Sequence, residues 1–283
     1  MKQFKEKLMN AVFMLAAGTS IFVVALISVF LFANGFPAIA EIGLFEFMLG
    51  TKWKPLEGLF GILPTILGSV YVTVGALIIG VPIGIFCAIF LAKFCPKKLY
   101  AVLKPAVELM AGIPSIVYGF FGLVVIVPAM QVLFGGSGKG ILTASVLLGI
   151  MILPTVIGVA EAAIKAVPES YYEGALALGA THEQSVFGAT LPAARSGIMA
   201  GVILGIGRAI GETMAVVMVA GNQAVIPKGI LSGVRTMTAN IVLEMAYAAE
   251  LHRDALIATG VVLFVFILII NLSFSLIKGR EGR

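Results

Sequence analysis

The chain has 283 residues, of which 60% are hydrophobic and only 12% charged, with a mean hydropathy of +1.11. A soluble domain carries about 25% charged residues, so this composition excludes one and places the chain in a bilayer. The formal charge of +5 does not signify nucleic-acid binding, because most basic residues gather at the ends of apolar segments. Apolar segments of helical length, rather than short alternating strands, also exclude an outer-membrane barrel.

The opening MKQFKEKL resembles the start of a signal peptide, and Ala38-Ile39-Ala40 resembles a cleavage site. The apolar run from Leu8 to Ala33 is longer than a signal core of about 7–15 residues, which predicts a retained membrane helix. Six spans are predicted, at 9–34, 62–92, 106–133, 141–165, 198–221 and 254–277. Gly75, Gly80, Pro82 and Gly84 interrupt the second, and Gly112, Pro114, Gly119 and Gly122 the third. Such residues are tolerated where neighbouring helices satisfy the backbone. Glu108 opens the third span near Lys104, and Glu161 stands four residues from Lys165 at the end of the fourth.

Lys and Arg fall twelve on the side of both termini and six on the other, which predicts cytoplasmic termini. The external loops are then 35–61, 134–140 and 222–253, and the internal ones 93–105 and 166–197. Trp53 and the stretch Ile42 to Leu49 are predicted to lie in the membrane interface. Ser232 to Met245 reads as a short helix, outside or partly re-entrant.

Little in the chain suggests chemistry. Cys87 and Cys95 have neither the number nor the spacing of a metal site or disulfide framework. GGSGKG at Gly135–Gly140 fails as a nucleotide loop, since Leu133 and Gly140 stand where a glycine and a hydroxyl are needed. His182 and His252 read as isolated, solvated loop residues. If ATP is used, a partner must supply the ATPase.

Two stretches carry information. Gly197 to Asn222 has 26 residues, about 39 Å as a helix, yet holds Arg208 and Glu212 in its middle. Buried ionisable groups at that depth face protein or water rather than lipid. Four apart, the two share one face about 6 Å apart along the axis. Gly197, Gly201 and Gly205, with Gly207 and Gly211 beside them, allow close helix approach. The pair reads either as a structural ion pair or as a cation lining an anion route, tuned by a carboxylate. The second stretch is the internal loop 166–197. Pro168 begins a helix with Glu169 and Glu173 early in it, Gly179 breaks it, and a second short helix follows from Thr181 to Thr190. Short amphipathic helices there suit docking into a groove on a soluble partner.

This loop resembles the EAA motif of binding-protein-dependent ABC importer permeases: E-A-A, three residues, Gly, nine residues, then I-x-L-P. Glu173, Ala175, Gly179, Leu191 and Pro192 match at the right spacing, while Gly174 and Ala189 depart from it. A narrower resemblance covers nearly the whole chain. Phe60–Thr73, Glu108–Leu123, Gly205–Val216 and Arg235–Met245 are similar in order to the PstC-type permeases of phosphate importers.

The resemblance implies an all-α polytopic chain with six transmembrane helices and a type I ABC importer (MetI-like) permease fold. Residues 1–61 form an N-terminal helix and external loop; residues 62–283 form a five-helix core whose loop 166–197 docks on the ATPase. It implies half of a phosphate pathway in a bacterial or archaeal plasma membrane and no catalysis in this chain. The implied partners are a PstA-type permease, a PstB-type ATPase dimer holding ATP and Mg, and a phosphate-binding protein. Arg208 and Glu212 carry over as pathway residues; Arg235, external by its loop position, is expected as an external gate that greets the anion or contacts the binding protein. A guanidinium fork matches phosphate oxygens, and a carboxylate accepts the hydrogen that phosphate retains and sulfate lacks. The competing expectations are a permease for sulfate, molybdate or phosphonate, a stand-alone anion carrier or channel, and a sensory subunit.

Overall fold

The computed structural model describes residues 2–281, with side chains described for residues 6 and 9–273. Lys2, Lys5, Lys7, Lys278, Arg280 and Arg283, which enter the charge asymmetry, lie outside those described side chains. Six helical stretches are long and apolar enough to cross a membrane: Met9–Ile42, Leu63–Phe94, Ser115–Phe134, Ile141–Lys165, His182–Gly211 and Glu250–Ser273.

The first long helix, α1 (Lys2–Ile42), is followed by α2 (Leu44–Leu49) and a two-stranded antiparallel pair, β1 (Trp53–Lys54) with β2 (Leu59–Phe60). The α1 helix runs along the last helix, α13 (Glu250–Glu281). Gly35 lies against Ala258 and Val261, and Phe32 meets Phe264 edge-on at 5.9 Å. Most of the rest of α1 is exposed to the surroundings, as suits a peripheral helix in lipid.

Three helices build the centre: α3 (Leu63–Ile89), α7 (Ile141–Lys165) and α10 (Leu191–Gly211). Their contacts are made by small residues, because packing rather than the hydrophobic effect drives association in a bilayer. On α3, Gly80 and Gly84 lie so close to α7 that an added Cβ would sit 2.6 Å from the Gly149 carbonyl oxygen or 2.8 Å from Val156. On α10, Gly197, Gly201 and Gly205 bring the backbone onto Ala163, Val159 and Val156 of α7. The predicted ladder is therefore a packing seam. Gly207 and Gly211, grouped with it in the sequence reading, face open space instead.

The remaining elements depart from the predicted spans at places where the backbone is interrupted. Residues 97–112 are a separate amphipathic helix, α4 (Lys97–Gly112), so the third span begins at Ser115 and not at 106. Ile113 precedes Pro114 and is extended at ψ 125, the conformation a following proline ring enforces. Glu108 thus sits in the second half of α4 rather than opening a span, and pairs with Lys104 at 3.6 Å. The third span is α5 (Ser115–Phe121) and α6 (Val127–Phe134) joined by a π-helical turn at 122–126. After α7 come α8 (Glu169–Ala177) and α9 (His182–Ser185), and a second π turn, 186–190, leads into α10 without a break. The expected independent helix over Thr181–Thr190 is the start of the fifth span, His182–Gly211. Beyond α10 lie α11 (Met214–Val219) and α12 (Met237–Glu244).

Candidate functional site

The stretch expected as one helix is broken at Glu212. The α10 helix ends at Gly211; Glu212 is extended at φ −69, ψ 131, and α11 restarts at Met214. The glycine supplies no side chain to hold the last turn, and the Glu212 carboxylate caps the new one by accepting from the Ala215 N–H at 3.1 Å. The Glu212 carbonyl, freed by the break, accepts from the Thr238 hydroxyl on α12 at 3.0 Å. Discontinuous helices of this kind are where transporters place substrate sites.

The break separates the two predicted site residues. Arg208 and Glu212 do not lie on one helical face, and among the described residues no ion pair joins them. Arg208 occupies the last turn of α10, where a cation suits the helix C-terminus. Its one hydrogen bond among the described residues runs from Nη1 to Thr155 Oγ1 on α7, at 3.4 Å. Thr155 stands about 21 Å along α7 from Ile141 and about 15 Å from Lys165, so Arg208 is held near the middle of that span. Leu204, Gly207 and Gly211, neighbours on the same side of α10, face outward from this chain. The Arg208 face is therefore the unfilled half of something.

Arg235 lies elsewhere, just before α12, and its guanidinium is occupied. Nη1 donates to Glu244, in an ion pair, and to Asn240 Oδ1 at 3.0 Å, while Nε donates to the Asn222 carbonyl at 3.0 Å. Glu244 is buried and also accepts from Trp53 Nε1 at 2.8 Å, with His252 Nε2 2.9 Å away. Trp53 is buried within the protein, and His252 is not an isolated loop residue. The α12 helix is seated in the protein: Met237 N–H donates to Ser69 Oγ on α3 at 2.9 Å, and Asn240 is fully buried.

At the opposite end, α8 presents the loop residues singled out in sequence. Glu173 and Gly174 are exposed and Ala175 is half-buried; Gly179 turns the chain at φ +89, which suits only glycine; Leu191 and Pro192 open α10. Leu178, beside that turn, is 91% exposed. The α8 helix is tied to the end of the second span. Lys93 reaches Glu169 at 3.2 Å and lies over the Tyr172 ring at 5.3 Å. Tyr172 hydroxyl and His182 Nδ1 are 2.7 Å apart, and Phe94 meets the His182 ring edge-on at 4.8 Å. His182 is therefore a packed joint, contrary to its reading as a solvated residue.

Nearby, the buried Glu161 takes Lys165 at 2.7 Å, as the i, i+4 spacing predicts, and also Lys104 and Tyr100 of α4, each at 2.8 Å. This carboxylate pins the amphipathic helix to α7. The hydrogen bond to Glu161 raises the Lys104 ammonium above its ordinary value of 10.5, and burial opposes it less strongly. A raised folded-state value means that the stabilisation is complete below pH 10.5 and is lost as pH climbs through the folded value. The melting-temperature difference between wild type and Lys104→Met, measured on the detergent-solubilised complex, is expected to hold constant from neutral pH and shrink only in that alkaline window. A difference that shrinks between neutral pH and 10.5 would contradict the assignment.

Residues 80–280 match the family model described as "Binding-protein-dependent transport system inner membrane component". The chain is 37% identical over 272 residues to the probable ABC transporter permease protein YqgH of Bacillus subtilis, covering 92% of this chain and 86% of that one. It is 37% identical to the phosphate transport system permease protein PstC of Mesorhizobium japonicum, covering 86% and 81%. To the probable PstC of Methanocaldococcus jannaschii it is 32% identical, covering 89% and 88%. Among solved structures it is similar in fold to the MetNI methionine ABC transporter, with a TM-score of 0.60, 21% identity and coverage of 82% and 100%. A bacterial ABC transporter that imports alginate gives 0.61 at 17% identity, with 95% and 96% covered.

Proposed function

Because the chain belongs to the family of binding-protein-dependent transport system inner membrane components, we propose that it is the PstC-type half of an ATP-driven phosphate importer. As a multi-pass permease of that family it is a transport subunit, and ATP hydrolysis and substrate capture fall to partners. In this reading the second half of the pathway is a PstA-type permease, a PstB-type ATPase dimer binds ATP and Mg, and a phosphate-binding protein delivers the ion. The membrane is a bacterial or archaeal plasma membrane with both termini cytoplasmic. Residues 62–283 are the working core, and residues 1–61 a peripheral addition.

One observation carries the substrate route. Arg208 is an intramembrane guanidinium with no carboxylate partner among the described residues and one long hydrogen bond to a hydroxyl. A structural arginine at that depth is normally paired; this one keeps most of its donors for something else. A planar fork of donors fits an oxyanion, and a weak, transient site suits transport, since a tight one does not release its ion. Glu212, committed to capping α11, lies across the helix break from Arg208 and limits how strongly an anion is held. Glu173, Gly174, Ala175 and Gly179 meet the ATPase through α8, and Leu191 and Pro192 pass its motion into α10, the helix that carries Arg208.

The test is uptake of labelled phosphate into proteoliposomes containing the chain with its copurifying partners. Uptake that requires ATP and binding protein and survives excess sulfate is the expected result. Uptake driven by an ion gradient without ATP, or suppression by sulfate, would overturn the proposal.

A further inference from the structure

The partner that Arg208 does have leaves its own proton unused. Thr19, Ser20, Ser28, Thr259 and Ser273, all on long helices, donate their hydroxyl hydrogen to the carbonyl four residues earlier at 2.7–3.0 Å. That back-bond is one way to satisfy a hydroxyl on a membrane helix, used here on the peripheral helices α1 and α13. Thr155 does not make it. Among the described residues its hydroxyl takes part in one hydrogen bond, as acceptor from Arg208 at 3.4 Å, so its own proton is unspent. The residue is half-buried on α7, facing the last turn of α10.

We infer that Thr155 is a second substrate contact, whose hydroxyl donates to the same tetrahedral oxyanion that Arg208 holds. The inference rests on the reading of Arg208 as a pathway residue. The guanidinium and the hydroxyl are both donors, they come from two different helices, and a bond as long as 3.4 Å between them costs little to give up. An anion arriving between them takes a forked pair of N–H donors from α10 and one O–H donor from α7. This is the arrangement that distinguishes an oxyanion site from a guanidinium that merely braces a helix end. It also makes site geometry depend on how α7 and α10 sit, and those two helices meet along the glycine seam Gly197, Gly201 and Gly205. A shift of α10 along that seam would pull the two donors apart and release the ion.

The experiment compares Thr155→Val, which keeps the shape and removes the hydroxyl, with Thr155→Ser, which keeps the hydroxyl, in the reconstituted complex. Uptake is measured at a saturating concentration of loaded binding protein, beside Arg208→Ala. Thr155→Val is expected to slow phosphate uptake about tenfold or more, the worth of one hydrogen bond to a charged group, and Thr155→Ser to stay within about twofold. If Arg208→Ala is inactive while Thr155→Val transports like wild type, this inference fails and the Arg208 reading stands. Wild-type transport by Arg208→Ala sinks both. Should Thr155→Val not assemble, Thr155→Cys decides, made with Cys87→Ala and Cys95→Ala to remove the two free thiols. Its modification by an anionic thiosulfonate should be slowed by excess phosphate and not by sulfate. Equal rates with and without phosphate would overturn the inference.

Discussion

Arg208→Ala is expected to abolish phosphate uptake while leaving an assembled, ATP-hydrolysing complex. The two halves of that expectation come from one geometry. Arg208 contributes little to holding the fold, because among the described residues its bonding is a single 3.4 Å contact to Thr155. It contributes a great deal to an anion, because hydrogen bonds to a charged group are worth about 1.5–3 kcal/mol each and a guanidinium supplies two in parallel. Losing both puts the fall in uptake at about a hundredfold or more. Arg208→Lys should recover only part of it, since an ammonium is a point charge without the fork. The measurement is labelled-phosphate uptake per assembled complex, with assembly read by size-exclusion chromatography. If uptake and assembly are lost together, Arg208 is a structural brace. If uptake is unaffected, the anion passes elsewhere.

The route to Arg208 was legible in the sequence; its surroundings were not. Gly197, Gly201 and Gly205 announce a close helix contact because four-residue spacing puts small residues on one face, and they make that contact. The i, i+4 pair Glu161–Lys165 is legible for the same reason. What one stretch of sequence does not reveal is a partner on another helix: Thr155 is 53 residues from Arg208, and Tyr100 and Lys104 are 61 and 57 from Glu161. The break at Glu212 was hidden differently. In an apolar run, Gly211 and Thr213 read as ordinary small residues of a membrane helix. Only the carboxylate turning back to cap Ala215, and Thr238 arriving from α12, make a break affordable there. Pro114 did announce the end of α4, since the residue before a proline resists helix; the apolar run starting at residue 106 masked it.

The break has a consequence for how motion reaches the site. The α8 helix is fastened to the end of the second span through Lys93, Phe94, Tyr172 and His182, and beyond the Gly179 turn α9 leads through a π turn into α10. A push on α8 therefore bears on the helix whose last turn carries Arg208. The outer elements α11 and α12 are joined to α10 through the Glu212 carbonyl and its bond from Thr238. Ala209 on α10 and Ala215, Val216 and Val219 on α11 nevertheless share one buried cluster with α7, so the extended residue bends the chain without freeing α11 from the core.

Glu244→Ala tests how firmly α12 is held against β1 and α13. Glu244 is the acceptor for Trp53 on β1, for Arg235 before α12 and for His252 on α13, three segments that approach one another around its carboxylate. The side chains of Glu244 and Arg235 are only 9% and 18% exposed, so removing the carboxylate leaves a largely buried guanidinium without its counter-charge. Breaking a buried pair from one side costs about 3–5 kcal/mol. That is a large fraction of the stability of most domains. Glu244→Ala is accordingly expected to lower the melting temperature of the purified complex sharply. Glu244→Gln, which keeps one acceptor oxygen and the shape, should fall between it and wild type. The decisive variant is the double one: Arg235→Ala with Glu244→Ala should be less damaging than the sum of the two singles, because the second change removes the charge that the first left stranded. Strict additivity would mean that the pair is incidental and that Arg235 keeps its guanidinium available for an arriving anion. A coupling of more than about 1 kcal/mol would mean instead that Arg235 is spent on holding α12 in place. In that case the ion's first intramembrane contact is the Arg208 site.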